Sequence, residues 1–217
     1  GCDAVVLCTS AVPKINILSL ASVMFKKTVL RRKEAGRPTF RFAEGGTPQE
    51  VDWLGARLQI DAAKAAGVKK FVFISSMGGT DPDNFLNTIG RQEDGTGGDI
   101  LLWKRKAERY LISSGLDYTI IHPGGLVDEC PGARELVVGV DDEMLQQTTN
   151  RQVPRNDVAR VACAALTTPA ASNLSFDLAS KPIGQGKPTA DLASLFKDGK
   201  SCAYSEPPIE PPPLPKL

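Results

Sequence analysis

Apolar residues in this chain fall into short unbroken runs separated by longer periodic stretches. Asp3 to Thr9 (DAVVLCT) is almost continuously apolar, which predicts a strand covered on both faces. A turn follows at Ser10–Pro13. Thr47-Pro48-Gln49-Glu50 has the form of a helix start, with proline in the first turn. Val51, Leu54, Leu58, Ala62 and Ala65 then recur at threes and fours, so a helix running to about Ala66 is expected to turn that stripe inward and to stop at Gly67. Phe71–Ile74 is the next strand and ends in Ser75-Ser76. Ile100–Ser114 reads as a second helix with Leu102, Ala107, Tyr110 and Leu111 inward, closed by Gly115. Tyr118–Ile121 is a strand broken by Pro123-Gly124-Gly125, and Glu135–Val138 and Ser175–Leu178 are further strands. Asn156 or Asp157 caps a helix through Leu166, and Asp191–Phe196 gives a short one. Strands alternating with helices predict an α/β fold with a mainly parallel sheet and crossover helices.

Three stretches depart from this rhythm. Ile15–Ala35 joins an apolar segment, INILSLASVMF, to a basic one carrying Lys26, Lys27, Arg31, Arg32 and Lys33. Its apolar part is far short of the roughly 20 residues needed to span a bilayer. It can lie on an anionic membrane surface, dock on a partner, or pack on its own domain with a solvated basic end. Met77–Asp99 is a long loop rich in Gly, Asn and Asp, of the kind that forms lids and binding loops. The end, SEPPIEPPPLPKL, is proline-rich and is expected to be an extended tail, with a PxxP ligand as the alternative. The expected division is a domain over residues 1–196 and a tail over 197–217.

Composition excludes several functions. A formal net charge of +1 argues against a nucleic-acid binder. The five cysteines are scattered with no CxxC pair, which suits free thiols in a reducing compartment. His122 is the single histidine, so a histidine-rich metal site is excluded, cysteine–histidine zinc spacing is absent, and no metal centre is expected. The chain opens on a glycine directly ahead of a buried strand, so a fragment or a processed form is expected.

Four segments should meet at the carboxyl ends of the parallel strands: Thr9–Pro13, Ser75–Gly79, Trp103–Lys106 and His122–Leu126. Open α/β sheets bind ligands at that edge. Three of these segments also have a plainer reading. Ser75 and Ser76 can satisfy turn amides, Lys104 can be a solvated helix lysine, and Gly124-Gly125 can be only a tight turn.

Taken as a set, GCDAVVLCTSAVPK, VDWLGARLQIDAAKAAGVKKFVFISSMGGTDPD, ILLWKRKAERYLISSGLDYTIIHPGGL, RELVVGVDDEMLQ, VPRNDVARVACAAL and SFDLASKP resemble the short-chain dehydrogenase/reductase superfamily, in its atypical NAD(P)-binding branch from plants and algae. The resemblance runs from Gly1 to Leu195 except over Ile15–Ala35. It implies a Rossmann-like parallel sheet with flanking helices, an oxidoreductase activity on a small-molecule substrate it does not identify, and NADP as cofactor with NAD as the alternative. It further implies that Thr9, Ser10, Ala11, Val12 and Pro13 lie by the cofactor's ribose and nicotinamide, together with Ser75. Ser76 corresponds to the serine that bonds the substrate carbonyl, and Lys104 to the lysine that grips the nicotinamide ribose. Pro123, Gly124, Gly125 and Leu126 would close over the nicotinamide. Relatives include chloroplast proteins.

Departures from the family pattern point to a second function class. Ile100 stands where the catalytic tyrosine belongs, one helical turn before Lys104, and His122 stands where relatives carry arginine. The first strands and their glycine-rich turn are missing, so the Asp3–Thr9 strand would present an apolar, unpaired edge. Either the sequence is incomplete or a protein partner covers that edge. A non-catalytic subunit or scaffold in a larger complex is therefore the alternative to a reductase.

Overall fold

The computed structural model describes residues 1–31, 36–92, 97–147 and 151–205. Arg32 and Lys33 of the basic segment, residues 93–96 of the long loop, and the proline-rich end from residue 206 lie outside the described residues. In chain order the elements are β1 (Ala4–Leu7), β2 (Lys14–Ile15), α1 (Ile17–Thr28), β3 (Phe40–Arg41), a π-helical segment Gln49–Gly55 running into α2 (Ala56–Ala65), β4 (Lys70–Ile74), α3 (Ile100–Ser113), β5 (Tyr118–Pro123), β6 (Gly125–Val127), β7 (Leu136–Gly139), α4 (Glu143–Gln147), β8 (Gln152–Pro154), α5 (Arg155–Thr167) and β9 (Leu174–Ser180). Short 3₁₀ turns lie at Phe85–Thr88, Pro169–Ala171 and Leu192–Phe196.

The main sheet has the order β1-β4-β5-β9-β7. The first three pairings are parallel, and β7 runs antiparallel to β9. The apolar runs of β4, β5 and β9 follow from coverage on both faces, whereas the expected coverage of β1 is incomplete, with Val6 39% exposed at the edge. Successive side chains of β4 alternate between two cores: Phe71 and Phe73 pack with Ala56, Ile60, Ala107 and Leu111 under α2 and α3, while Val72 joins Val158, Val161, Phe176 and Phe196 under α5. Among the described residues β1 pairs only with β4, so it is an edge, as expected.

The helix start at Thr47 forms as the sequence predicts. The Glu50 amide donates to Thr47 Oγ1 (3.3 Å) and the Thr47 amide to Glu50 Oε2 (3.1 Å), a reciprocal capping box. The inward stripe differs. Asp52, Ala56, Ile60 and Ala63 are buried, whereas Leu58 is 62% exposed and Ala62 and Ala65 face solvent. The cause is the π segment, whose wider turns take more residues than an α-turn, so a 3.6-residue period carried across it drifts out of phase.

Two further differences concern the ends of the domain. α1 is capped by Asn16, whose side chain accepts the amides of Leu18 (3.1 Å) and Ser19 (3.3 Å), but none of its residues is buried. Ser19, Leu20 and Val23 touch the rest of the chain, while Ile17, Leu18, Ala21, Met24 and Phe25 face outward. The apolar side of this helix is turned to solvent. No helix among the described residues is long and apolar enough to cross a membrane. At the other end, the expected tail boundary at 197 falls too early. The Cys202 amide donates to Ser175 O (2.6 Å) and the Ser175 amide to Ser201 Oγ (3.1 Å), and Cys202 is buried. Polar anchoring to β9 holds residues 201–204 on the domain, a contact that an apolar pattern does not reveal.

The shifted stripe has a measurable consequence. Ile60→Ala should lower stability by about 2–5 kcal/mol, and Leu58→Ala should stay within about 0.5 kcal/mol, both read from urea unfolding; comparable losses would contradict the packing described.

Candidate functional site

The carboxyl ends of β1, β4 and β5 bring together the turn after β1, Ser75–Gly79 and Pro123–Leu126. Thr9, Ser10 and Val12 are exposed there, and Ala11 is buried between them. The Ala11 amide donates to Asp52 Oδ2 (3.1 Å), and Asp52 Oδ1 lies 2.8 Å from Lys104 Nζ. Both charged groups are buried, and the ammonium also lies 5.8 Å from the centre of the Phe73 ring. Lys104 therefore reaches the Ser10–Pro13 turn through Asp52. A buried ion pair is held by its mutual attraction, and loss of one partner strands the other charge. Asp52 was not legible as a site residue because the helical stripe put it on the outer face; the π segment turns it inward.

Pro123–Leu126 forms a shaped wall. The Met77 amide donates to Pro123 O (3.2 Å), the Gly124 amide to Leu178 O (2.9 Å) and the Gly125 amide to Arg151 O (2.6 Å). A Cβ on Gly124 would lie 2.0 Å from Arg151 O, so only glycine allows the two backbones to approach this closely. Gly125 and Leu126 are exposed toward the same edge. The edge thus offers two free hydroxyls, backbone groups and apolar side chains, a donor set that fits the ribose and nicotinamide end of a dinucleotide.

Ser75 and Ser76 part company because neighbours in an extended chain point to opposite sides. Ser75 is buried and donates to Glu108 Oε1. Ser76 is half-buried, donates to Met77 O (3.1 Å), and lines a cavity of about 10 Å³ with Thr80, Glu108, His122, Asp177 and Cys202. Beneath it lies a buried polar cluster. Glu108 Oε2 accepts from Tyr204 OH (2.7 Å) and Arg105 Nη1 (3.2 Å), and lies 3.2 Å from His122 Nε2. His122 Nδ1 is 3.2 Å from Asp177 Oδ1. Asp142 accepts the amides of Gly78 (2.7 Å) and Thr80 (2.9 Å), and its own amide donates to Asp177 Oδ2 (2.8 Å).

Burial pushes the Glu108 carboxyl up, but the charge of His122, its hydrogen bond, Arg105 and Ser75 outweigh it and hold the group at about 2. Burial pushes His122 down, yet Glu108, Asp177 and Cys202 raise it well above the usual histidine value. Burial and Glu108 raise the Tyr204 phenol well above its ordinary range. His122 is 3% exposed. Glu108, Asp142, Asp177 and Tyr204 were missed in the sequence; they come from four separate segments and share no spacing.

A second cavity of about 370 Å³ is lined by Phe85, Ile89, Gly90, Arg37 and Phe40. The Met77–Asp99 loop contributes one side, as expected. The other side comes from residues 37–40.

Asp52 and Lys104 form a testable pair. Asp52→Ala should cost about 3–5 kcal/mol by stranding a buried ammonium, and Asp52→Ala combined with Lys104→Met should recover most of that loss. Additive losses in urea unfolding would mean that the two groups are not coupled.

Comparison with known proteins agrees with this geometry. The NAD(P)H-binding family profile matches residues 1–169. An uncharacterized chloroplastic protein of Arabidopsis thaliana is 48% identical over 196 residues, covering 90% of this chain and 55% of the relative. Sanguinarine reductase of Eschscholzia californica is 44% identical over 202 residues, covering 90% of this chain and 71% of that enzyme. Among solved structures, a putative NAD-dependent epimerase/dehydratase from Bacillus halodurans superposes with a TM-score of 0.55 at 26% identity, over 70% of this chain and 61% of that one. The chain thus spans about half the length of the Arabidopsis relative, 55%. With Rossmann-like neighbours, a mostly parallel sheet and a profile match over most of its length, the chain belongs to the NAD(P)H-binding, oxidoreductase-like Rossmann family.

Proposed function

We propose that the protein is a reductase that uses NADP(H) to reduce a small-molecule acceptor at the carboxyl edge of β1, β4 and β5. The observation that carries this reading is the convergence of an exposed turn, Thr9–Val12, with Ser76 and the Pro123–Leu126 wall. When bound, the nicotinamide supplies a hydride to the acceptor. The chain's own residues do the rest. Lys104, through Asp52, fixes the Ala11 amide and with it the placement of the Thr9 and Ser10 hydroxyls. Ser76 Oγ turns from Met77 O to donate to the acceptor heteroatom as negative charge gathers on it, an interaction that strengthens along the reaction. Val12, Pro123 and Leu126 exclude water from one face of the reacting carbon. Ile100 carries no proton, so the proton that completes reduction comes from water at the exposed edge. The name of the Eschscholzia californica relative, sanguinarine reductase, supports the class of reaction, and the substrate is left open.

The test uses the full-length protein. NADPH should quench Trp103 fluorescence saturably, and NADH should bind more weakly. Ser76→Ala should lower kcat by about 10²-fold while leaving NADPH affinity unchanged. Absence of binding at millimolar cofactor would sink the reading.

A second observation bears on where the protein works. The outward face of α1 is apolar: Ile17 is 78% exposed, Leu18 82% and Phe25 55%. Residues 4–31 carry Lys14, Lys26, Lys27 and Arg31 and no acidic residue. We infer that this face rests on an anionic lipid surface, with the basic residues among the headgroups. That several relatives are chloroplastic supports a plastid membrane as that surface. The protein should sediment with vesicles containing phosphatidylglycerol and not with phosphatidylcholine alone. Met24→Glu with Phe25→Glu should abolish sedimentation. Sedimentation unaffected by those changes, or capture by a protein in their place, would overturn it.

A further inference from the structure

The most unusual grouping outside the cofactor edge is a histidine, an aspartate and a cysteine buried together. His122 lies on β5, Asp177 on β9, and Cys202 on the segment that β9 anchors. All three are buried. His122 Nδ1 is 3.2 Å from Asp177 Oδ1 and 3.8 Å from Cys202 Sγ, and the three atoms lie within 4.8 Å of one another. We propose that these three side chains bind one divalent cation of the zinc type through Nδ1, Oδ1 and Sγ.

The spacing suits the ion. Zinc lies about 2.0–2.3 Å from nitrogen, oxygen and sulfur ligands, so ligand atoms around a tetrahedral ion stand about 3.3–3.6 Å apart. The separations of 3.2 and 3.8 Å from His122 Nδ1 need only small shifts to reach that arrangement. The donor set also selects the metal. Thiolate with imidazole favours zinc, whereas magnesium and calcium prefer oxygen throughout.

The surroundings are those of a ligand set. Histidine ligands commonly present their second ring nitrogen to a carboxylate. His122 Nε2 is buried, lies 3.2 Å from Glu108 Oε2, and has no well-aligned hydrogen bond among the described residues. With Nδ1 on the metal, Nε2 carries the hydrogen and faces Glu108. Asp177 is likewise oriented: the Asp142 amide occupies Oδ2 (2.8 Å), leaving Oδ1 toward the ion. The Asp141 amide donates to Cys202 Sγ (3.3 Å), a contact that favours a thiolate. The adjoining cavity of about 10 Å³ has room for one water as a fourth ligand. Sequence spacing could not show this, because the ligands lie 55 and 80 residues from His122.

A bound ion would fasten residues 201–204 to β5 and β9. The test uses the full chain with Cys2, Cys8, Cys130 and Cys163, all exposed, changed to serine so that Cys202 is the single thiol. After chelation and dialysis, cobalt(II) should bind one-to-one with a thiolate charge-transfer band in the near ultraviolet, and zinc should displace it. Cys202→Ser should remove the band. Glu108→Gln should keep the band and weaken zinc affinity about 10- to 100-fold. X-ray absorption of the zinc-loaded protein should show one sulfur at about 2.3 Å, a reading that needs no substitution at Cys202. No stoichiometric cobalt, no sulfur scatterer, or a band that survives Cys202→Ser would overturn the site and leave a buried ion-pair network in its place.

Discussion

The described structure depends on one buried carboxylate. Glu108, on α3, accepts from Ser75 at the end of β4, Arg105 one turn earlier, and Tyr204 near the end of the described chain, and lies beside His122 on β5. An ion of this kind costs several kcal/mol to bury, repaid only when its lone pairs are taken up. Here four partners from four places do so, and each is fixed in return. The position of the helix over the sheet, the order of β4 beside β5, and the docking of residues 201–204 are therefore specified by polar geometry as well as by the apolar layers on either side.

Much of this architecture was legible in the sequence, and the reason is the strength of period. Every strand of the main sheet stands within a few residues of its apolar run, because a strand covered on both faces leaves an unbroken signal. The capping box at Thr47 was legible too, since its two partners are three residues apart. What was not legible arises from contacts distant along the chain. Asp52 faces Lys104 only because a π segment rotates it inward. Tyr204 and Cys202 lie beyond the last apolar run, and polar hydrogen bonds to β9 hold them in place. Glu108 and Asp177 look like ordinary surface acids in a linear pattern.

The candidate site shows the same division. Ser76 and the Pro123–Leu126 wall could be picked out by their place at strand ends, where open sheets gather ligands. The paired serines could not be told apart until the pleat assigned them to opposite sides. Lys104 could be marked as important, yet its means of action could not. It works from within the domain, and the residue that carries its influence to the edge is an aspartate on another helix. The candidate edge is thus underlain by a layer of buried charge.

The turn after β1 has one more property. Between Ala11, pinned to Asp52, and Ile17, where α1 begins, lie only five residues, two of them paired with Phe40 and Arg41 in a two-stranded antiparallel ladder. That is a short, stiff lever. The outward face of α1 stands one short, paired connection away from the strand end that presents Thr9 and Ser10. The placement of α1 and the shape of the candidate ligand edge are thus tied through the same five residues.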